Sequence, residues 1–257
     1  MLVQQLINYT LFFIAYSFIG WLLETVYASF SRGRFTNRGF LAGPFCPVYG
    51  TAALLLILLY QWLPNLTALL FLSVVVASAV EYTAALLLER VFGFRWWRYR
   101  NPLSVLHGRL SLSTSFLWGL LSILLLDVLH PLLHPLLSSI TPFGGLILVG
   151  LFGAYLTTDL AFSTYAAHNL SRRLATMTKL NQRICNRREH IHFMLDDSIE
   201  TLQSRYRSIM ENRSAAQSRL IHAFPTLESS QYSEALQVLQ HSVYSDARSG
   251  PENVCAP

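Results

Sequence analysis

The chain has 257 residues, of which 53% are hydrophobic and 13% are charged, and its mean hydropathy is +0.38. This composition is typical of a membrane protein and argues against a soluble globular domain. The net charge of +5 does not predict nucleic-acid binding, because the polar C-terminal region carries eleven Lys or Arg against nine Asp or Glu.

Five apolar stretches approach or exceed the length that crosses a bilayer, about 20 residues. They cover residues 6–28, 48–63, 66–88, 112–133 and 143–166. We therefore predict an all-α fold, with a five-helix transmembrane bundle in a domain of residues 1–166. The second stretch is the shortest and can borrow length from the AGPFCP segment before it. The first lacks the basic start of a signal peptide, so it is predicted to be a span.

The charges of the connections between these stretches predict the orientation. Arg32, Arg34 and Arg38 lie in the first connection and five Arg lie in the third, whereas the second and fourth carry no charge. Because Lys and Arg concentrate in cytoplasmic loops, the first and third connections are expected in the cytoplasm. The N-terminus is then outside and the C-terminus is cytoplasmic.

Three acids inside the predicted spans lie at similar depth. Glu24, Glu81 and Asp159 are about 8–12 Å below the cytoplasmic surface, at 1.5 Å per helical residue. A carboxylate at that depth is costly unless it serves a pathway or has a partner. One interpretation is a polar layer, including Arg38 and Arg109, that handles a solute, an ion or a proton. The other is that each acid neutralises a loop Arg and fixes the bundle.

The first connection is dense in Gly and Pro, which predicts tight turns. Pro47 suits the first turn of the second span, whose N-terminus then faces the cytoplasm. A helix N-terminus beside Arg is a possible site for an anion such as a lipid headgroup. We predict this site at Arg32, Arg34, Asn37, Gly43 and Pro47. A re-entrant turn that binds nothing is the alternative.

Aromatic and basic residues alternate in the third connection. Trp96, Trp97 and Tyr99 are predicted to anchor the protein at the headgroup level of the bilayer.

Further along, Asp127, His130 and His134 have the spacing i, i+3, i+7, which is compatible with a metal or proton site. Nearby prolines indicate that the helix ends there, so ordinary rim residues are the simpler interpretation and no metal is predicted.

The region after the last span is polar. Its apolar residues recur at close to heptad spacing, which predicts a cytosolic, amphipathic and coiled-coil-like helical tail over residues 167–224. Residues 225–257 are polar and mixed, and the last fifteen or so are expected to be disordered. The three cysteines are far apart and predict neither a disulfide framework nor a zinc site.

No nucleotide-binding, serine-hydrolase or zinc-protease motif occurs, so no cofactor is predicted and an enzyme is the less favoured class. Four blocks, FIAYSFIGWLLETVYASF, NRGFLAGPFCPVYG, EYTAALLLERVFGFRWW and HGRLSLSTSFLWG, resemble the family "Putative ABC-transporter type IV". They occur in the family's order and cover most of residues 8–120. The resemblance implies a bacterial cytoplasmic-membrane protein with a permease role. The matching positions are Glu24, Asn37, Arg38, Gly39, Gly43, Pro44, Pro47, Tyr49, Gly50, Glu81, Trp97, Tyr99, Gly108 and Arg109.

The chain departs from the family's usual pattern after the paired Trp. Where the family commonly has an Asp and then Tyr-Ser, this chain has Arg98, Tyr99 and Arg100. Val105 stands where the family has an Asn, and Ser111 where it has a Cys. The loss of an acid and an amide favours a member that has diverged in substrate or function.

Three functions fit these observations. The first is a permease-like protein, the membrane subunit of a transporter, whose polar layer handles a small solute or ion. Because five spans are few for a transporter, we expect a homo-oligomer or a separate partner subunit, for which an ATPase is a candidate, within the lipid bilayer. The second is a non-catalytic scaffold or sensor that recruits a partner through its tail. The third is a membrane-embedded enzyme that acts on a lipid or lipid-linked phosphate.

Overall fold

The computed structural model describes residues 2–60, 62, 65–99, 104–105, 108–190, 196–212 and 214–244. The chain divides into two compact units. The first consists of Met1–Leu88 and Trp97–Ser163, and the second of Glu89–Trp96 and Thr164–Pro257. Most of the described chain is helical, as the sequence predicts. The division falls close to the predicted boundary at residue 166, but it also assigns a short part of the third connection to the second unit.

Among the described residues, the first unit contains five helices, the start of a sixth that it shares with the second unit, and one small strand pair. They are α1 (Leu2–Arg32), α2 (Pro47–Tyr60), α3 (Leu66–Phe92), β1 (Ser104–Val105), β2 (Leu110–Ser111), α4 (Leu112–Leu124), α5 (His130–Ser138) and the start of α6 (Pro142–His190). The two strands are antiparallel, with Ser104 opposite Ser111. A π-helical turn, Leu125–Leu129, joins α4 to α5 without a break.

Within the described residues, four helical stretches are long and apolar enough to cross a membrane: Leu2–Arg32, Leu66–Phe92, Leu112–Ser138 and Pro142–Ile184. They coincide with four of the five predicted spans. The remaining one, α2, has 14 residues, or about 21 Å at 1.5 Å per residue, and so is shorter than a hydrocarbon core of about 30 Å. Pro47 occupies its first position, as predicted, where the missing N–H of proline costs nothing.

Although it is short, α2 supplies side chains to the core of the first unit. Leu56 packs in a buried cluster with Leu69 of α3 and Leu126 of the π-helical turn. Ala53 packs in a second cluster with Phe12 and Tyr16 of α1. The longer helices instead present many large apolar side chains outward. A soluble protein rarely exposes so much apolar surface, whereas a bilayer would cover it.

Glycines allow α1 and α2 to approach closely. A Cβ placed on Gly20 would lie 2.2 Å from the Tyr49 ring, and one on Gly50 would lie 2.2 Å from Ser17 Oγ and 2.7 Å from the Phe13 carbonyl oxygen. Neither position has room for a methyl group. Both glycines lie within the blocks that resemble the family. The close contact of α1 and α2 gives a steric reason for each of them.

The second unit combines the C-terminal part of α6 with three shorter helices. These are α7 (Asp196–Glu211), α8 (Ala215–Ala223) and α9 (Ser233–Tyr244). Leu170, Leu174 and Met177 of α6 are fully buried, as are Leu220 and Leu236. The run from 154 to 224 contains no Gly or Pro, which is consistent with α6 continuing from its apolar part into the polar tail.

The segment Glu89–Trp96 packs against the C-terminal part of this unit. Arg95 and Glu228 exchange backbone hydrogen bonds of 2.8 and 2.9 Å. Trp96 is 2% exposed and meets Phe224 edge to face, with ring centroids 5.0 Å apart. The chain beyond residue 225 therefore includes ordered structure through α9. Residues 245–257, most of the stretch expected to be disordered, lie outside the described residues.

Candidate functional site in the membrane unit

Glu24, on α1, has a partner at each carboxylate oxygen. Arg38 Nε lies 3.1 Å from Oε2, and the Tyr49 hydroxyl donates to Oε1 at 2.6 Å. Arg38 belongs to the first connection and Tyr49 to the first turn of α2. The guanidinium compensates the charge and the phenol satisfies the second oxygen. Glu24 thus ties both the first connection and α2 to α1.

Glu81, on α3, is satisfied at only one oxygen. The Tyr99 hydroxyl donates to Oε1 at 2.8 Å. Oε2 is buried, and no described residue donates a hydrogen bond to it. Leaving a buried polar atom without a partner costs about 1–3 kcal/mol, and more for a charged group. This oxygen is therefore a place where a proton, a cation or a donor group of a ligand would be stabilised.

Tyr99 connects the environments of the two glutamates. Burial raises the pKa of the Tyr99 phenol above its ordinary value, and the nearby charge of Glu81 and, more weakly, that of Glu24 raise it further. The phenol consequently remains a neutral donor. Tyr49 adds a contact to α4, because its ring meets Trp118 edge to face with centroids 5.1 Å apart. The predicted acids at 24 and 81 therefore share one polar cluster.

Asp159, on α6, has a different set of partners. It is 7% exposed, and its two oxygens accept the backbone N–H groups of Ala42 and Gly43, each at 2.8 Å. Ser163 Oγ and the Tyr155 hydroxyl add longer contacts of 3.3 Å each. Consecutive backbone N–H groups that point to one anion form a favourable site for negative charge. Asp159 therefore fixes the first connection on α6 through the main chain.

The predicted anion site in the first connection contains residues with internal partners. Asn37 accepts a hydrogen bond from Trp21 Nε1 at 2.6 Å and donates to the Ala42 carbonyl at 2.7 Å. The Gly43 N–H is donated to Asp159. A Cβ on Gly43 would overlap the Tyr155 hydroxyl and lie 2.9 Å from Asp159 Oδ2. The carboxylate of the chain itself thus takes the place of an anion at Gly43.

The remaining predicted positions are dispersed along the chain. Arg32 is the last residue of α1, Arg34 is exposed, and Pro47 begins α2. Arg109 is half-buried and directly precedes β2. Among the described ion pairs, the partner of Glu24 is Arg38.

The predicted interface anchors differ in their surroundings. Trp96 lies in the core of the second unit, where Phe92 and Phe224 contact its ring. This aromatic cluster explains its burial, and its role as an interface anchor stays a prediction. Tyr99 directs its hydroxyl to Glu81. Trp97 is half-buried in the first unit.

Several residues that complete the site were not predicted. Tyr155 and Ser163 are four residues before and after Asp159, which places all three on one helical face. That spacing is a signal that sequence inspection could have used. No comparable spacing in the sequence would have indicated Trp21, which donates a hydrogen bond to Asn37. In the described part of the chain, no group of three His, Cys, Asp or Glu side chains is arranged to hold a metal ion.

The four membrane-length apolar helices define a multi-pass membrane protein. A family model described as "Putative ABC-transporter type IV" matches residues 11–164, and the chain belongs to this family. The resemblance predicted from the sequence blocks is thereby confirmed. The matched region contains Glu24, Glu81 and Asp159. A search of curated proteins and a search of solved structures each find no match to this chain.

Proposed function

We propose that this protein is a permease-like component of the bacterial cytoplasmic membrane, the membrane subunit of a transporter for a small solute or an ion. Its pathway includes Glu24, Glu81, Asp159, Arg38 and Arg109. The single observation that carries the proposal is the buried Glu81 Oε2, to which no described residue donates. An acid inside a membrane segment without a complete set of partners is a functional position by default.

The three acids have different roles in this proposal. Arg38 compensates Glu24, and backbone N–H groups stabilise Asp159. Glu81 alone keeps an oxygen available, while Tyr99 fixes the orientation of its carboxylate. Glu81 is therefore the group that receives the transported proton, cation or donor group. Glu24 and Asp159 maintain the walls of the pathway.

The orientation is also part of the proposal. The Arg-rich first and third connections support a cytoplasmic location for both, with the N-terminus outside and the C-terminal tail inside. In this orientation the polar cluster lies toward the cytoplasmic side of the membrane. The short helix α2 and the irregular chain before it lie on that side, where non-helical backbone can line a polar cavity.

A homo-oligomer or a partner subunit completes the proposal. Gly150 of α6 has nothing within 4 Å of an added Cβ. Ala154 and Thr158 are exposed on the same helix. Small residues spaced by four permit close helix approach within a membrane. This face supports contact with another helix, whether from a second copy or from a different subunit.

The test uses the full-length protein reconstituted in liposomes, with separate measurements of H⁺, Na⁺ and K⁺ flux. Glu81→Gln should lose the flux that the wild-type protein supports, because Gln carries no charge. Glu89→Gln is the matched control, since Glu89 is on the same helix and bonds to Arg95 at 3.1 Å. Equal flux in Glu81→Gln and wild type would overturn the role of Glu81. If the wild type conducts none of the three ions, the ionic form of the proposal is wrong.

A further inference from the structure

The second unit contains a groove between α6 and α7 that the transport proposal does not use. Its volume is about 350 Å³. We name it the α6–α7 groove. It is lined by Arg172, Arg173, Thr176, Ser208, Ile209 and Asn212. Arg172, Thr176, Ser208 and Asn212 are exposed, so the groove is accessible from solvent.

The lining residues lie on regularly spaced faces of two helices. Arg172 and Thr176 are four residues apart on α6, and Ser208 and Asn212 are four residues apart on α7, so each pair lies on one side of its helix. Arg205 precedes Ser208 by three residues, so it lies on the same side of α7, outside the lining itself. The fold thus brings basic and hydroxyl side chains from two helices to one groove.

Arg173 is held in a defined position at this groove. Its Nη1 donates to Gln217 Oε1 at 2.6 Å, and its Nη2 donates to the backbone carbonyl of Asn212. Gln217 also forms the capping box of α8 with Ser214. These two bonds hold the guanidinium in a defined orientation. A pre-oriented guanidinium loses little conformational freedom when it binds an anion.

The chemistry of the lining favours an anion with several oxygen atoms. The described lining combines two guanidinium groups, two hydroxyl groups and a carboxamide. Arg binds phosphate with charge-assisted and often bidentate hydrogen bonds. The volume is at the lower end of the range of ligand pockets, about 300–1,000 Å³. A phosphate group with a small substituent fits this space.

We propose that the α6–α7 groove is a binding site for a phosphate group. The phosphate is carried either by a soluble molecule or by a lipid headgroup, and the two sources share the same recognition chemistry. Arg172 supplies the exposed cation and Arg173 the fixed one, while Ser208 donates a hydroxyl hydrogen bond. This site is independent of the membrane cluster around Glu81.

The experiment uses the detergent-purified full chain with two probes. Calorimetric titration with inorganic phosphate measures the soluble form, and native mass spectrometry measures retention of phosphatidylglycerol. Arg172→Gln should weaken binding of whichever probe the wild-type protein binds by about tenfold or more, since a hydrogen bond to a charged group is lost. Ser208→Ala should give a smaller loss. The thermal midpoint of each variant is recorded to show that it is folded.

Arg183→Gln is the matched control. Arg183 is exposed on α6 and lies eleven residues beyond Arg172, about 16 Å along nearly the same face. Weaker phosphate binding in Arg172→Gln but not in Arg183→Gln supports a soluble ligand. Loss of phosphatidylglycerol retention in Arg172→Gln but not in Arg183→Gln supports a lipid headgroup. Absence of binding for both probes, or equal loss in the two variants, overturns the proposal.

Discussion

The Gly43 N–H donates a hydrogen bond of 2.8 Å to Asp159 Oδ2, across 116 residues of chain. The neighbouring Ala42 N–H donates to the other carboxylate oxygen. One buried side chain of α6 therefore determines where the first connection lies, and this connection also carries Arg38, the partner of Glu24. The position of the ion pair thus depends on a carboxylate of another helix.

Asp159→Asn should loosen the first connection. Asn offers one acceptor oxygen, so one of the two N–H groups loses its bond to this side chain. The Ala42 N–H would keep Ser163 Oγ at 3.1 Å, whereas losing the bond from Gly43 would cost about 1–3 kcal/mol. Cys46 lies at the end of this connection and donates its backbone N–H to the Ser17 carbonyl. In a chain whose other two cysteines are Ser, we expect maleimide to label Cys46 about tenfold faster. Asp127→Asn, at an exposed carboxylate, is the control, and identical labelling rates in both variants would contradict the expectation.

Glu24→Gln should abolish the flux that the wild-type protein supports while leaving the protein folded. The substitution preserves volume but removes the charge that pairs with Arg38. Flux in liposomes and the thermal midpoint in detergent are the two measurements. The double variant Glu24→Gln/Arg38→Gln distinguishes the two interpretations of this acid. Recovery of flux in it would show that Glu24 serves only as a counterion, whereas continued loss places Glu24 in the pathway.

Tyr99→Phe should lower the thermal stability of the first unit. It removes the donor to Glu81 Oε1, so that neither carboxylate oxygen keeps a described partner. The expected loss is about 1–3 kcal/mol, seen as a lower thermal midpoint. Tyr82→Phe is the control, since Tyr82 is half-buried on the same helix as Glu81 and no described hydrogen bond involves its hydroxyl. If both variants melt at the wild-type temperature, Tyr99 does not stabilise Glu81.

Gly50→Ala should destabilise the contact between α1 and α2. Its methyl group would meet Ser17 Oγ at 2.2 Å and the Phe13 carbonyl at 2.7 Å. Backbone cannot move aside as a flexible side chain does, so a cost of about 1–3 kcal/mol is expected. Gly153→Ala faces open space and, by helix propensity, should be neutral or stabilising by up to about 1 kcal/mol. The measurement is the thermal midpoint of each variant. A Gly50→Ala protein that melts at the wild-type temperature would exclude the close packing of α1 and α2.

The long spans were predictable because each is a continuous apolar run. The short length of α2 was also predictable, since its apolar run is the shortest of the five. The depth of the three acids stays a prediction. Their partners did not follow from residue spacing, because bonds such as that from Gly43 to Asp159 join distant parts of the chain. The same holds for the contact between Trp96 and Phe224. Such contacts depend on packing, to which residue spacing gives no access.

The π-helical turn at Leu125–Leu129 affects how relatives should be aligned. Its wider hydrogen-bonding pattern accommodates one more residue than an α-helical turn. Since each α-helical residue advances by about 100°, the following chain is rotated by roughly a quarter turn. Asp127 accordingly contacts the Tyr60 hydroxyl at 3.4 Å, while His130 bonds to Tyr16 at 2.9 Å. A one-residue gap here in a relative would mark a change in which side chains face the bundle, with the fold retained.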